Sequence, residues 1–233
     1  MLAASSRIER SKAAIMAATL ALMATAPNSA RLVVRFGPKR TVAGGLGLVA
    51  VGLLLLIGAQ VDTAYPYIAL SMVVLASGMG VAMAPLTASI MGSIPLGKSG
   101  VGSAVNDTTR ELGGALGVAV LGSLLQSAYS ARIGDLTLVP QPVREVAGKS
   151  LGAALRAAGE LAPTNADAAR QLVDGAKQGY VSGMHLALAV AAGVALLAVG
   201  LVLRYLPGKD EMPATAPEGV PGQHVTSLEP EAA

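Results

Sequence analysis

Charged residues are spaced so unevenly along this chain that the gaps between them restrict what it can fold into. No Asp, Glu, Lys or Arg occurs in residues 13–30, 41–61, 63–97, 112–131 or 178–203. A helix needs about 20 mostly apolar residues, range roughly 17–25, to cross the hydrocarbon of a bilayer. Each gap reaches or nearly reaches that length. Buried strands are a poor alternative, because the gaps are rich in Gly and far exceed the roughly 4–8 residues of a strand. The spacing predicts five membrane helices, at about 13–30, 41–61, 66–92, 109–131 and 179–204.

Composition agrees with lipid as the solvent. Of 233 residues, 53% are hydrophobic and 13% charged, against about 25% charged in an ordinary soluble domain; mean hydropathy is +0.59. Ala, Leu, Val and Gly supply the apolar mass, with no Trp and a single Phe, Phe36. Small residues let helix backbones approach closely where lipid removes the hydrophobic drive between helices. The absence of Cys excludes disulfide frameworks and cysteine metal sites. A net charge of +3, with its cations scattered between apolar segments, argues against nucleic-acid binding.

Residues 1–12 form a short N-terminal lead. Arg7, Arg10 and Lys12 before "AAIMAATLALMA" also have the form of a signal peptide with Ala24-Thr25-Ala26 at the cut. Pro27 would then follow the cleavage directly and four further spans come after, so a membrane segment is the simpler reading. Between the fourth and fifth spans, residues 132–177 make a polar insert that retains helical order. Val143, Val146, Ala147, Leu151, Ala154, Leu155 and Ala158 recur as one apolar stripe. Pro163 interrupts it, and Thr164 or Asn165 can cap a second helix striped by Ala169, Leu172, Val173 and Ala176. Residues 207–233 are rich in Pro, Gly and acid, and are expected to be a disordered cytoplasmic tail.

The densest basic segment is "RLVVRFGPKR", residues 31–40, which reads as a short loop between the first two spans. Loops rich in Lys and Arg face the cytoplasm. With this one inside, alternation places "QVDTAYP" outside, Lys98 inside, the insert outside and the C-terminus inside. A plain count of charges does not decide the orientation, because the insert holds six cations against five acids.

A span ending near a Pro, then "ARLVVRFGPKR", then a Gly-rich span resembles the cytoplasmic loop that the major facilitator superfamily repeats in each half, G-x-L-x-D-R-x-G-R-[KR]. Arg35, Gly37, Lys39 and Arg40 match; Ala30 stands for the first Gly and Val34 for the Asp, as in the degenerate second-half copy. "GMGVAMAPLTASIMGSIP" and "GKSGVGSAVNDTTRELGGALGVAVLGSLL" are similar to the bacterial drug:proton antiporter branch with fourteen spans, as is the ending "GYVSGMHLALAVAAGVALLAVGLVLRYLP". The resemblance covers about residues 13–206. It implies an all-α polytopic membrane protein whose five transmembrane helices correspond to spans ten to fourteen, the C-terminal bundle of a major facilitator fold.

The resemblance also directs attention to residues. Asn106 and Arg110 lie four apart on one face of the fourth helix; the family's corresponding helix lines the central cavity, which makes Asn106, Arg110 and Met83 candidates for the substrate cavity. A plain helix entry at the headgroups accounts for Asn106 and Arg110 equally well. The loop motif comprises Arg31, Arg35, Gly37, Pro38, Lys39 and Arg40. Gly78, Gly80, Gly113 and Gly117 are candidates for close helix packing, and Pro27 and Pro85 for kinks. Met72, Met79 and Met83 offer a soft apolar wall. His185 is expected at an interface or a helix contact.

"GLGLVA" at residues 45–50 lacks the preceding strand and following acid of a dinucleotide fingerprint. No Ser-His-Asp set, metal spacing or phosphate loop stands out, so neither an enzymatic activity, a metal nor a cofactor is expected. The implied function is a part of a multidrug efflux transporter, exchanging hydrophobic or cationic small molecules for protons by alternating access. The implied partners are the lipid bilayer of the cell membrane and a missing N-terminal transporter half or another copy of the chain. A non-transporting membrane protein that regulates a related pump, or a decayed gene product, remains the alternative.

Overall fold

The computed structural model describes residues 2–206. The expected disordered tail, 207–233, lies outside the described residues. Seven α-helices follow one another: α1 Leu2–Phe36, α2 Pro38–Ile57, α3 Tyr65–Gly92, α4 Ser99–Gly134, α5 Gln141–Ala147, α6 Leu151–Leu161 and α7 Ala166–Tyr205, with one 3₁₀ turn at Leu96–Lys98 before α4. The described residues contain no strand. Such a chain can satisfy its backbone polar groups inside each segment, which the interior of a bilayer requires.

Four helices, α2, α3, α4 and α7, are long and apolar enough to cross a membrane. The expected first span lies within α1, which is helical throughout residues 13–30. Among the described residues it includes the apolar stretch Ile15–Thr25. Polar side chains here bond within the helix: Thr25 Oγ1 donates to the Ala21 carbonyl at 2.7 Å and Asn28 Nδ2 to the Ala24 carbonyl at 3.0 Å.

Small residues decide where the helices touch. On α2, a Cβ added at Gly45 would lie 2.8 Å from the Ala82 Cβ and one at Gly52 2.7 Å from the Leu75 Cβ, so α2 and α3 run antiparallel in near backbone contact. On α7, Gly175, Gly179 and Gly183 take the side chains of Leu136 and Arg132 and the backbone of Leu125, respectively. These three glycines recur every four residues and form one groove, into which the C-terminal half of α4 lies antiparallel. α2 also packs along α7, and α1 along α3.

The insert folds as a cap with its own apolar core. Tyr129, Ile133, Leu136 and Val139 from the end of α4 and its following link meet Ala147, Ala154, Ala158, Leu172 and Ala176. Tyr129 Oη donates to the Ala147 carbonyl at 3.0 Å, and Arg144 to the Gly134 carbonyl at 2.6 Å. The expected single stripe over 143–158 is divided, since α5 stops at Ala147 and α6 restarts after Ser150, whose hydroxyl accepts from Ala153 N. Asn165 is the cap of the next helix, accepting from Ala168 N at 3.0 Å. That helix does not end at the insert. It continues as one 40-residue rod through the final span, because no Gly-Pro break separates the two.

Candidate functional site

The expected loop at 31–40 is a correction. α1 runs to Phe36 and α2 starts at Pro38, leaving Gly37 as the only residue between two helices. Gly37 has φ 82 and ψ 162, a conformation that only Gly adopts readily. It is the sole described residue with a positive φ. Pro38 suits the first helical position, where its missing N–H costs nothing. Thr41 Oγ1 donates to the Gly37 carbonyl at 2.8 Å in a buried setting, and Gly37 N donates to the Val33 carbonyl at 2.8 Å. A helical corner, rather than a loop, therefore presents the motif's cations: Arg31, Arg35 and Arg40 are exposed and Lys39 half-buried.

Asn106, Arg110, Gly113 and Gly117 occupy one stripe of α4 by their i, i+4, i+7, i+11 spacing. At the foot of that stripe α4 touches α3 and the link that follows it: Arg110 donates to Thr87 Oγ1 at 3.3 Å, and Gly102 sits against the side chain of Ile94 in the link. Above it, a Cβ added at Gly113, Gly114, Gly117 or Gly122 would meet nothing within 4 Å. The two helices are thus joined near their connection and part from there, while the far half of α4 is held by α7 instead. The expected packing of Gly113 and Gly117 against another helix is not made within the described residues, where no helix reaches a Cβ at either position. Much of α4 is bare, with Leu116 65% and Val118 76% exposed.

Met83 precedes Thr87 by one helical turn, so the structure brings it to the face of α3 that Arg110 meets. It is 37% exposed. Asn106 Nδ2 donates to Asp107 Oδ1 at 3.3 Å, and Glu111 follows Arg110. The foot of the opening is therefore polar and its upper walls are apolar and small.

Of the other sequence-derived residues, Gly78 and Gly80 do pack closely, Gly78 on the backbone of Gly45 and Val49 and Gly80 on Thr25. Pro27 and Pro85 lie inside helices that continue past them, and Pro85 is buried. His185 is a helix contact: its Nε2 donates to the Ala59 carbonyl at 2.6 Å, at the end of α2. Nearby, Tyr67 Oη donates to the Leu55 carbonyl at 2.6 Å. Side chains from α3 and α7 thus bond the carbonyls at the end of α2, that of Leu55 in addition to the Gly58 N–H it already accepts.

Thr87 and the glycines at 45, 52, 175, 179 and 183 were not among the sequence-derived sites. The spacing of four between Gly175, Gly179 and Gly183 was the available signal. Placing the end of the insert at residue 177 divided it. Thr87 is an isolated hydroxyl in an apolar run, which carries no signal of its own.

Comparison with known proteins bears on this geometry. Residues 8–118 match the family model described as Major Facilitator Superfamily. The multidrug efflux pump LfrA of Mycolicibacterium smegmatis is 33% identical over 168 residues, covering 72% of this chain and 33% of that protein. The tetracenomycin C resistance and export protein of Streptomyces glaucescens is 29% identical over 207 residues, 84% of this chain and 37% of its own. The multidrug resistance protein Stp of Mycobacterium tuberculosis is 29% identical over 183 residues, 76% of this chain and 34% of its own. The chain spans about a third of the length of the curated relatives it matches.

Proposed function

This chain belongs to the major facilitator superfamily, and from that premise we propose that it supplies spans ten to fourteen of a multidrug efflux transporter of the fourteen-span drug:proton antiporter branch. The observation that carries the reading is the opening between α3 and α4. Its foot is the Arg110–Thr87 contact, and its walls hold Met83 on one side and the bare Gly113 and Gly117 on the other. A bundle that formed its whole core from this chain would not leave the four glycines of its fourth span uncovered. The relatives carry two further thirds of chain, and we assign the covering of α4 to the facing bundle that this extra length provides. Substrates of the class expected are hydrophobic or cationic small molecules, held between the bundles and released as they rock.

Orientation belongs to the same reading. The antiparallel pairs place the ends of α1 and α7 and the starts of α2 and α4 at one end of the bundle. That end carries Arg31, Arg35, Lys39, Arg40, Lys98 and Arg204. No acid occurs within residues 31–41, 92–104 or 200–206. At the other end, residues 132–177 hold six cations and five acids, with Asp62 beside them. With Arg7, Arg10 and Lys12 at that end too, a count by end does not separate the two; the short connections do, because residues 31–40 carry four cations and residues 58–64 none, and on these we assign the basic end and the C-terminus to the cytoplasm.

The test is complementation in drug-sensitive bacteria. The chain is expressed alone, with the first two thirds of a relative, and with Arg110→Ala in that pair, while accumulation of a fluorescent lipophilic cation is measured. The pair is expected to lower accumulation, the chain alone to leave it unchanged and Arg110→Ala to restore it. If both polypeptides reach the membrane and accumulation never falls, the transport reading fails. A rise in accumulation when the chain is added to an intact pump would favour a regulatory protein.

A further inference from the structure

Function aside, the basic end of the bundle has a chemistry of its own. Four of its six cations lie in residues 31–40, and the helix pairing brings Lys98 and Arg204 to the same level. Two of them lie over neighbouring rings: the Arg35 guanidinium is 5.3 Å from the centroid of Phe36, and that of Arg204 is 5.6 Å from the centroid of Tyr205. Both rings face outward, Phe36 at 45% and Tyr205 at 76% exposure. An arginine over an exposed aromatic ring at the end of a span matches the chemistry of the headgroup layer, where the ring meets acyl chains and the guanidinium meets phosphate. Among the described residues an ion pair joins Arg170 to Asp167, at the opposite end. Phosphate oxygens are the acceptors available at that depth, and guanidinium groups bind them in bidentate fashion.

We propose that this rim, centred on Arg35, Lys39 and Arg40 with Lys98 and Arg204 beyond, selectively holds anionic phospholipids of the leaflet around it. The Gly37 corner sets the spacing, because with a single residue between the helices the cations of α1 and α2 cannot drift apart as they would on a flexible loop. Lipid held there would fasten the ends of two helices to the bilayer surface. The site is independent of the transport reading, and its test needs no transport.

The test uses the purified full chain in nanodiscs of equimolar phosphatidylcholine and phosphatidylglycerol, followed by native mass spectrometry of the lipids that stay bound. Phosphatidylglycerol is expected to dominate, and the triple variant R35Q/K39Q/R40Q to lower the ratio on the order of fivefold or more, since each cation near a charged surface contributes about that factor. An equal charge removal at the far end, R156Q/R170Q/K177Q, is expected to leave the ratio within about twofold. Equal retention of the two lipids, or equal loss in both triples, overturns the proposal. Inorganic phosphate added at matched ionic strength is expected to displace no lipid; displacement would mean that the rim takes free phosphate and not headgroups, which also overturns it. Far-UV circular dichroism checks that the rim variant is folded, and K98Q/R204Q, expected to lower the ratio by a similar factor, replaces it if it is not.

Discussion

Gly78 of α3 sits against Gly45 of α2 so closely that a Cβ on Gly78 would fall 2.6 Å from the Gly45 carbonyl oxygen and 2.6 Å from Val49 N. Both obstacles are backbone, which cannot rotate aside as a side chain can. Gly78→Val is therefore expected to destabilise the bundle by about 1–3 kcal/mol through overpacking. Thermal unfolding followed by circular dichroism in detergent measures it. An unchanged midpoint would show that α2 and α3 do not meet at this crossing.

The corner at Gly37 makes a second, separable demand. With φ 82 and ψ 162 it lies where a Cβ strains the backbone whatever the surrounding space. Gly37→Ala is expected to cost about 1–3 kcal/mol, whereas Lys39→Gln, on a charged and partly exposed neighbour, is expected to stay within about 0.5 kcal/mol. The pair separates backbone geometry from charge. If the alanine variant unfolds with wild-type stability, α1 and α2 are joined by some other turn.

His185 links α7 to the end of α2 through the Ala59 carbonyl, and that carbonyl's residue is 5% exposed. Since the carbonyl only accepts, Nε2 must carry the proton. His185→Phe keeps the ring volume and removes the donor, leaving a buried acceptor open at a cost of about 1–3 kcal/mol. Amide hydrogen exchange across residues 58–64 is expected to quicken in that variant and to recover in His185→Gln, whose amide can donate. Identical exchange in all three proteins would exclude the bond.

Because the natural sequence contains no Cys, single cysteines can report the sidedness of the membrane without further engineering. Lys39→Cys is expected to resist a membrane-impermeant maleimide applied to intact cells and to react after permeabilisation. Lys149→Cys, in the cap, is expected to react from outside at once. The opposite pattern would reverse the assigned orientation.

How much of this was legible in the sequence depended on what each feature requires. Four of the five spans were readable because absence of charge over some twenty residues is itself the physical requirement. Asn165 as a cap was readable because capping is local. The division of the insert stripe was not, since Val143 to Ala158 keep their helical spacing across a break that only the Ser150 cap reveals. Nor was the corner, where ten residues of mixed basic and apolar character look like a loop until Gly37 alone is seen to carry the turn. At the site, Arg110 and Asn106 announced themselves by polarity, but Thr87, the atom that Arg110 reaches, did not. Gly113 and Gly117 show the limit most clearly: the spacing signals a small face, yet nothing in it says whether the partner helix belongs to this chain.

That last distinction can be measured. Gly45 and Gly113 are both glycines within spans, but a Cβ at Gly45 meets Ala82 at 2.8 Å while one at Gly113 or Gly117 meets nothing within 4 Å. Gly113→Val with Gly117→Val is therefore expected to shift the stability of the isolated chain by no more than about 0.5 kcal/mol. In the complementation assay, the same double variant is expected to abolish the fall in drug accumulation, because valines would fill the face that another bundle must approach. Loss of stability in the isolated chain would place a helix of this chain against α4. Full activity beside unchanged stability would mean that no bundle closes on this face, and the reading of α4 as one wall of a transport cavity would be lost.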